Sequence, residues 1–191
     1  MAVYVRPRRL FTALAADTGG VAAVEFAIFA IVFLTLLAGT IDVGNVLFTE
    51  FELDSAVSAG AQAAAVNTAQ VNSTQGATLA NSIATTVANA NGTGWASVTV
   101  IVNNGPTVSI TNGSVSSGGN ASAADSYYCL TGTPGKWSWG GAVTAGTTCS
   151  GNIHAGQFVT ITAQRSVSSF FPSFGFVPAG PIVQTAAVET Q

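Results

Sequence analysis

"GGVAAVEFAIFAIVFLTLLAGTIDVGN", Gly19–Asn45, decides how this chain is built. Glu25 is followed by an uncharged run, Phe26–Ile41, and the next charge is Asp42. A helix needs about 20 apolar residues, at about 1.5 Å each, to cross the hydrocarbon core of a bilayer. The run alone falls slightly short; extended back to Val21 it reaches 21 residues and suffices. A buried core helix is the plain alternative, but no other part of the chain is apolar enough to surround it. A cleaved secretory signal is the other rival. Its apolar region spans about 7–15 residues and ends at a small-residue cleavage site. Here the run is longer, "LLAGT" is a weak site, and a carboxylate at its head does not suit a signal peptide. The stretch predicts one membrane-spanning helix.

The charges around it set a direction. Arg6, Arg8 and Arg9 precede the run, and Asp42, Glu50, Glu52 and Asp54 follow it. Basic residues mark the cytoplasmic end of a span, so residues 1–20 read as a cytoplasmic leader and the C-terminal body as extracytoplasmic. From Ser55 onward the only charged residues are Asp125, Lys136, Arg165 and Glu189. Charged residues make up 7% of the chain, against about 25% in an ordinary soluble domain. Ala, Gly, Ser, Thr and Asn take their place, a composition common in exported surface proteins. Five Lys and Arg in all and a net charge of −3 are too few cations to neutralise a run of phosphates, which argues against nucleic acid as a partner.

Glu25 poses the functional question. A carboxylate costs about 2.5–3.5 kcal/mol at the centre of a bilayer and less near its surface. It either snorkels at the cytoplasmic interface without a role or has a counter-charge. The spacing offers one. A cut after Gly20 would make Val21 the first residue and Glu25 the fifth, and the new α-amino group of a neighbouring copy could pair with the carboxylate.

The segment resembles a known family. Gly20–Val21 and Glu25–Phe26 match the prepilin processing pattern, a Gly before the cut and Glu with an aromatic residue at positions five and six. The longer block, with "GxxAVEFA" at Gly20–Ala27 and "DVGN" at Asp42–Asn45, resembles the TadE-like minor pseudopilins of tight-adherence (Flp, type IVb) pilus assembly systems. The resemblance runs over about residues 19–65, where "LDSAVSAGAQAAA" continues the family's Ala-rich pattern. Asp42 stands where Glu is usual, with Gly44 in register; Asn45 and Gln62 stand where Arg is common. The C-terminal "SSFFPSFGFVPAGP" between two strand-like segments is also similar to the family. The leader departs from the prepilin pattern, since Asp17 is acidic and the nearest basic residue is Arg9. The resemblance implies cleavage by a prepilin peptidase, partnership with other pseudopilins and the pilus machinery, a location in the bacterial inner membrane or in the pilus, and a role in assembly without catalysis. A permanently anchored surface or adhesion domain, unprocessed, is the alternative.

Beyond the span the helix should continue to about Val66, about 70 Å in all. Val43, Leu47 and Phe51, widened by Val46, Leu53 and Val57, suggest the face turned to the body. Ala59, Gly60, Ala63 and Ala64 would admit a close neighbour. Leu79, Ile83 and Val87 predict a second helix over 77–90, stopped by Gly92. Strands are predicted at 95–102, 107–111, 158–167 and 181–189, with "NNGP" a hairpin turn between the first two. Residues 112–126 read as flexible and of low complexity. The expected fold is α+β: a long N-terminal helix serving as a spine, with a small antiparallel sheet in the domain over 67–191.

Cys129 and Cys149 predict a disulfide in an extracytoplasmic setting. Its loop of about 20 residues would be worth roughly 3 kcal/mol in the chain-entropy view. Lys136, Trp137 and Trp139 inside it either contact a partner or cover the sheet. No His or Cys pair stands at metal-ligand spacing. Glu50, Glu52 and Asp54 fall on different helix faces and read as a solvated collar. His154, the only histidine, lies in a loop of small residues. No nucleophile motif or phosphate-cradling loop is present. The sequence predicts no enzyme, no metal and no cofactor.

Overall fold

A computed structural model describes residues 20–172, 175–177 and 180–191; the basic leader lies outside them. The order is α1 (Val21–Val66), a 3₁₀ turn (Thr68–Gln70), α2 (Gly76–Ala88), β1 (Ser97–Val102), β2 (Thr107–Thr111), β3 (Ser114–Gly118), a 3₁₀ turn (Ala121–Asp125), β4 (Thr131–Thr133), β5 (Lys136–Ser138), β6 (Phe158–Ser166) and β7 (Pro181–Glu189). The described chain forms two compact units, one from the residues up to Gly44 with Ser169–Val177, the other from Asn45–Ser168 with Pro178–Gln191. The fold is α+β, as expected.

In the second unit an antiparallel sheet runs β3-β2-β1-β6-β7, and β4 pairs with β5 apart from it. β-Branched residues at every second position bury one face of the sheet. Val98, Val100 and Val102 on β1 lie opposite Ala163, Ile161 and Val159 on β6, and Val100 also pairs with Val108 on β2. All are buried in one core with Leu79, Ile83 and Val87 of α2. The turn after β1 places Asn103 and Asn104 in the left-handed region, at φ 48° and 56°. Asn103 is buried there. Its amide donates to the carbonyls of Ala124 and Ser126 at 2.8 and 2.6 Å, and its Oδ1 accepts from the Phe158 amide.

Two expectations change. Residues 112–126 are not an unstructured linker. Asn112 and Gly113, both at positive φ, form the two-residue turn that right-twisted hairpins favour, and β3 pairs with β2 from Thr111↔Ser114 to Thr107↔Gly118. The low-complexity composition hides an Asn-Gly turn, and β3 is exposed along its length, so no apolar alternation announces it.

The buried face of α1 also differs. Val43, Leu47 and Phe51 are exposed, Phe51 by 70%. Leu53 and Val57, from the flank of the expected face, are buried, together with Ala56, Gly60 and Ala64. At about 100° per residue, Leu53 points some 200° away from Phe51, to the opposite side of the helix. The stripe with small residues wins because it lets the core come close. A Cβ at Gly60 would stand 2.7 Å from Val87 Cγ2 and 3.2 Å from both Ile83 and Ile161. Gly60→Val should therefore destabilise the unit by about 1–3 kcal/mol through overpacking. Ala59→Val on the exposed side should change it by less than about 0.5 kcal/mol. Thermal unfolding of the two variants in micelles, followed by circular dichroism, checks the contrast; equal losses would contradict the packing.

Candidate functional site

The first half of α1 carries the sequence-predicted site. Gly20 and Val21 are exposed at its start, and a Cβ at Gly20 would meet nothing within 4 Å. Glu25 is exposed, and among the described residues no side chain pairs with it. Phe26 beside it is 73% exposed, and Ile28, Phe29, Ile31, Phe33, Leu34 and Leu36 are exposed as well. The two hydroxyls in this stretch are satisfied inside the helix: Thr35 donates to the Ile31 carbonyl and Thr40 to the Leu36 carbonyl, each at 2.7 Å. An apolar surface with internally paired polar groups is what a hydrocarbon solvent requires. By length and composition α1 suffices to cross a membrane.

Asp42 ends the uncharged run, and it is nothing like Glu25. It is 1% exposed. Its carboxylate accepts from the Ser169 hydroxyl at 2.5 Å, from the Phe170 amide at 2.8 Å and from the Phe171 amide at 3.2 Å. These three donors stand on the chain between β6 and β7, 127 to 129 residues away in sequence. A Cβ at Gly39, one turn below Asp42, would come within 3.4 Å of the Phe176 ring. Gly44 faces open space. Glu25 and Asp42 lie 17 residues apart on one helix, about 26 Å, so they are separate sites. The roles of Ser169 and Phe176 were not readable in the sequence, because the contact joins the two ends of the chain.

In the second unit Cys129 and Cys149 form the expected disulfide, with Cα atoms 5.6 Å apart. Lys136 on β5 is exposed, and Trp137 and Trp139 are half-buried. The Trp139 ring meets Tyr128 edge-to-face at 5.9 Å, a favourable aromatic geometry. The Trp137 indole N–H is buried with no acceptor among the described residues. Arg165 stacks over Trp95 at 4.7 Å and donates to its carbonyl, which accounts for one of the few charges in this unit. Glu50 and Asp54 are exposed and Glu52 half-buried. Among the described residues no group of acidic, His or Cys side chains could hold a metal ion. His154 is exposed in its loop.

Comparison with known proteins adds one finding. Residues 20–62 match the family model described as TadE-like protein. The chain carries a TadE-like region. The match spans almost all of α1, from the residue before it to four residues short of its end. The TadE-like family is associated with tight-adherence pilus machinery and is not known for catalysis. No curated protein and no solved structure matches the chain.

Asp125, in the 3₁₀ turn before the disulfide loop, is a titrating group outside the apolar run with hydrogen-bond partners of its own. Hydrogen bonds from the Ser73 side chain and from the Ser73 amide, the latter at 2.7 Å, hold its carboxyl below the usual carboxylate range. A depressed folded-state pKa contributes stability that is present above the unfolded value of about 3.9 and is lost as pH falls through the folded value. Melting temperature should therefore fall on acidification below about pH 4, and Asp125→Asn should flatten that acid limb. An unchanged acid limb in the variant would contradict the linkage.

Proposed function

We propose that the chain is a membrane-anchored minor pseudopilin acting in assembly of a tight-adherence pilus or of its secretion machinery. The observation that carries this reading is the match of the TadE-like family to α1, with Glu25 five residues beyond Gly20 on an exposed apolar helix. In this reading a prepilin peptidase cuts between Gly20 and Val21. The α-amino group of a neighbouring copy then meets Glu25 in the lipid. Arg6, Arg8 and Arg9 keep the leader in the cytoplasm, α1 crosses the bacterial inner membrane once, and the sheet-bearing unit lies on the extracytoplasmic side, where a disulfide persists. Phe26, Asp42 and Gly44 complete the family pattern. Lys136, Trp137 and Trp139 form a contact loop for other parts of the machinery.

The role of Glu25 follows from energetics. A lone carboxylate inside hydrocarbon is costly, and one that meets an amino group recovers much of that cost. The carboxylate therefore favours lateral association over the isolated helix. Removing one partner of a desolvated pair costs about 3–5 kcal/mol. Glu25→Ala should cut surface pili or secreted product by on the order of tenfold or more, while the protein stays in the membrane fraction after alkaline extraction. Normal pili with Glu25→Ala would remove the pairing and leave a permanently anchored surface domain as the better reading.

A further inference from the structure

The segment Ser169–Val177 has no assigned role, and its placement on α1 gives it one. From Val21 to Ile41 the helix rises about 31 Å, which is the thickness of a hydrocarbon core. Asp42 then marks the far edge of that core. The segment is bound there, by the three hydrogen bonds to Asp42 and by Phe176 against Gly39. Both contacts lie within one compact unit. The chain carries no charge between Arg165 and Glu189, and the described residues of the segment include Phe170, Phe171 and Phe176. Phe170 is 66% exposed although its own amide is fixed to the helix.

We infer that this aromatic segment is a second membrane contact, inserting Phe170 into the outer leaflet at the hydrocarbon edge. The inference rests on the reading that residues 21–41 span the bilayer. Irregular backbone is tolerated at that depth only if its polar groups are paired within the protein. Asp42 does this for the Phe170 and Phe171 amides, and the segment in turn satisfies a carboxylate that would otherwise be costly there. A lipid surface is the occupant the observations favour, since the segment is fixed to α1 at the end of its exposed apolar run, by Asp42 and by Phe176 against Gly39, and carries no charge of its own. Asp42 acts as a positioning residue. It fixes the depth at which the ring is presented, and the unit that carries Asp42 then meets the membrane at two points instead of one.

Site-directed spin labelling tests this in the full chain reconstituted into phosphatidylethanolamine and phosphatidylglycerol vesicles. The two native cysteines are bonded to each other, so a nitroxide on Phe170→Cys is single-site. Labels on Phe33→Cys in the middle of the run and on Ser117→Cys in β3 provide the lipid and water references. The expected result is that the Phe170 label is open to oxygen and closed to a water-soluble nickel chelate, as at Phe33. Adding Asp42→Ala should restore nickel access at that label alone. A Phe170 label as nickel-accessible as Ser117, with Phe33 still in lipid, would overturn the membrane contact and leave the span intact. A Phe170 label shielded from both reagents would also overturn it, in favour of packing against protein. Nickel access at Phe33 would remove the span itself and the inference with it.

Discussion

In the proposed reading, one helix has to satisfy two different solvents. Along most of its first twenty residues α1 exposes apolar side chains, as lipid would require, and it pairs the hydroxyls of Thr35 and Thr40 with its own backbone. From Leu53 onward the same helix buries one narrow stripe of Leu, Ala, Val and Gly against a protein core. These demands are incompatible at any one position, because lipid rewards bulk all round while a close-packed core rewards complementary shape on one face. The chain solves this by dividing the helix lengthwise. Asp42 stands near the division, and its three hydrogen bonds bring the segment between β6 and β7 to that level.

The two carboxylates of this region show how much local satisfaction decides. Asp42 is buried and fully engaged by donors from its own chain. Glu25 is exposed and has no partner among the described residues. A carboxylate satisfied within the fold is structural, and its removal frees a loop. One left unsatisfied on a lipid-facing helix carries a standing cost that only another molecule can offset. The proposed pseudopilin role depends on that difference: Asp42 organises the protein, and Glu25 brings copies or partners together.

Much of this was legible in the sequence, for definite reasons. The long apolar helix, the second helix, strands β1, β2, β6 and β7, and the Cys129–Cys149 bond all follow from periodicity or composition over a few consecutive residues. The buried face of α1 followed only in part: Leu53 and Val57 lie on it, but the bulkier row of Val43, Leu47 and Phe51 does not, since Gly60 allows Val87 and Ile161 to approach the other side. Strand β3 was missed because it pairs only through its backbone and buries nothing. Asp42 was legible as part of a family pattern, but its partners stand far away in the sequence, and no local signal connects them. The family match ends at residue 62, so the sheet-bearing unit rests on physical reading alone.

Glu25 acquires its proposed partner only if Val21 carries a free amino group, so the state of the N-terminus decides its role. Intact mass with N-terminal peptide mapping, on protein extracted from its native membrane, decides this most directly. A mature chain that begins at Val21 is the expected result. A mature chain that begins at Met1 or Ala2 would contradict it, and Glu25 would then be an interfacial carboxylate on a permanent anchor.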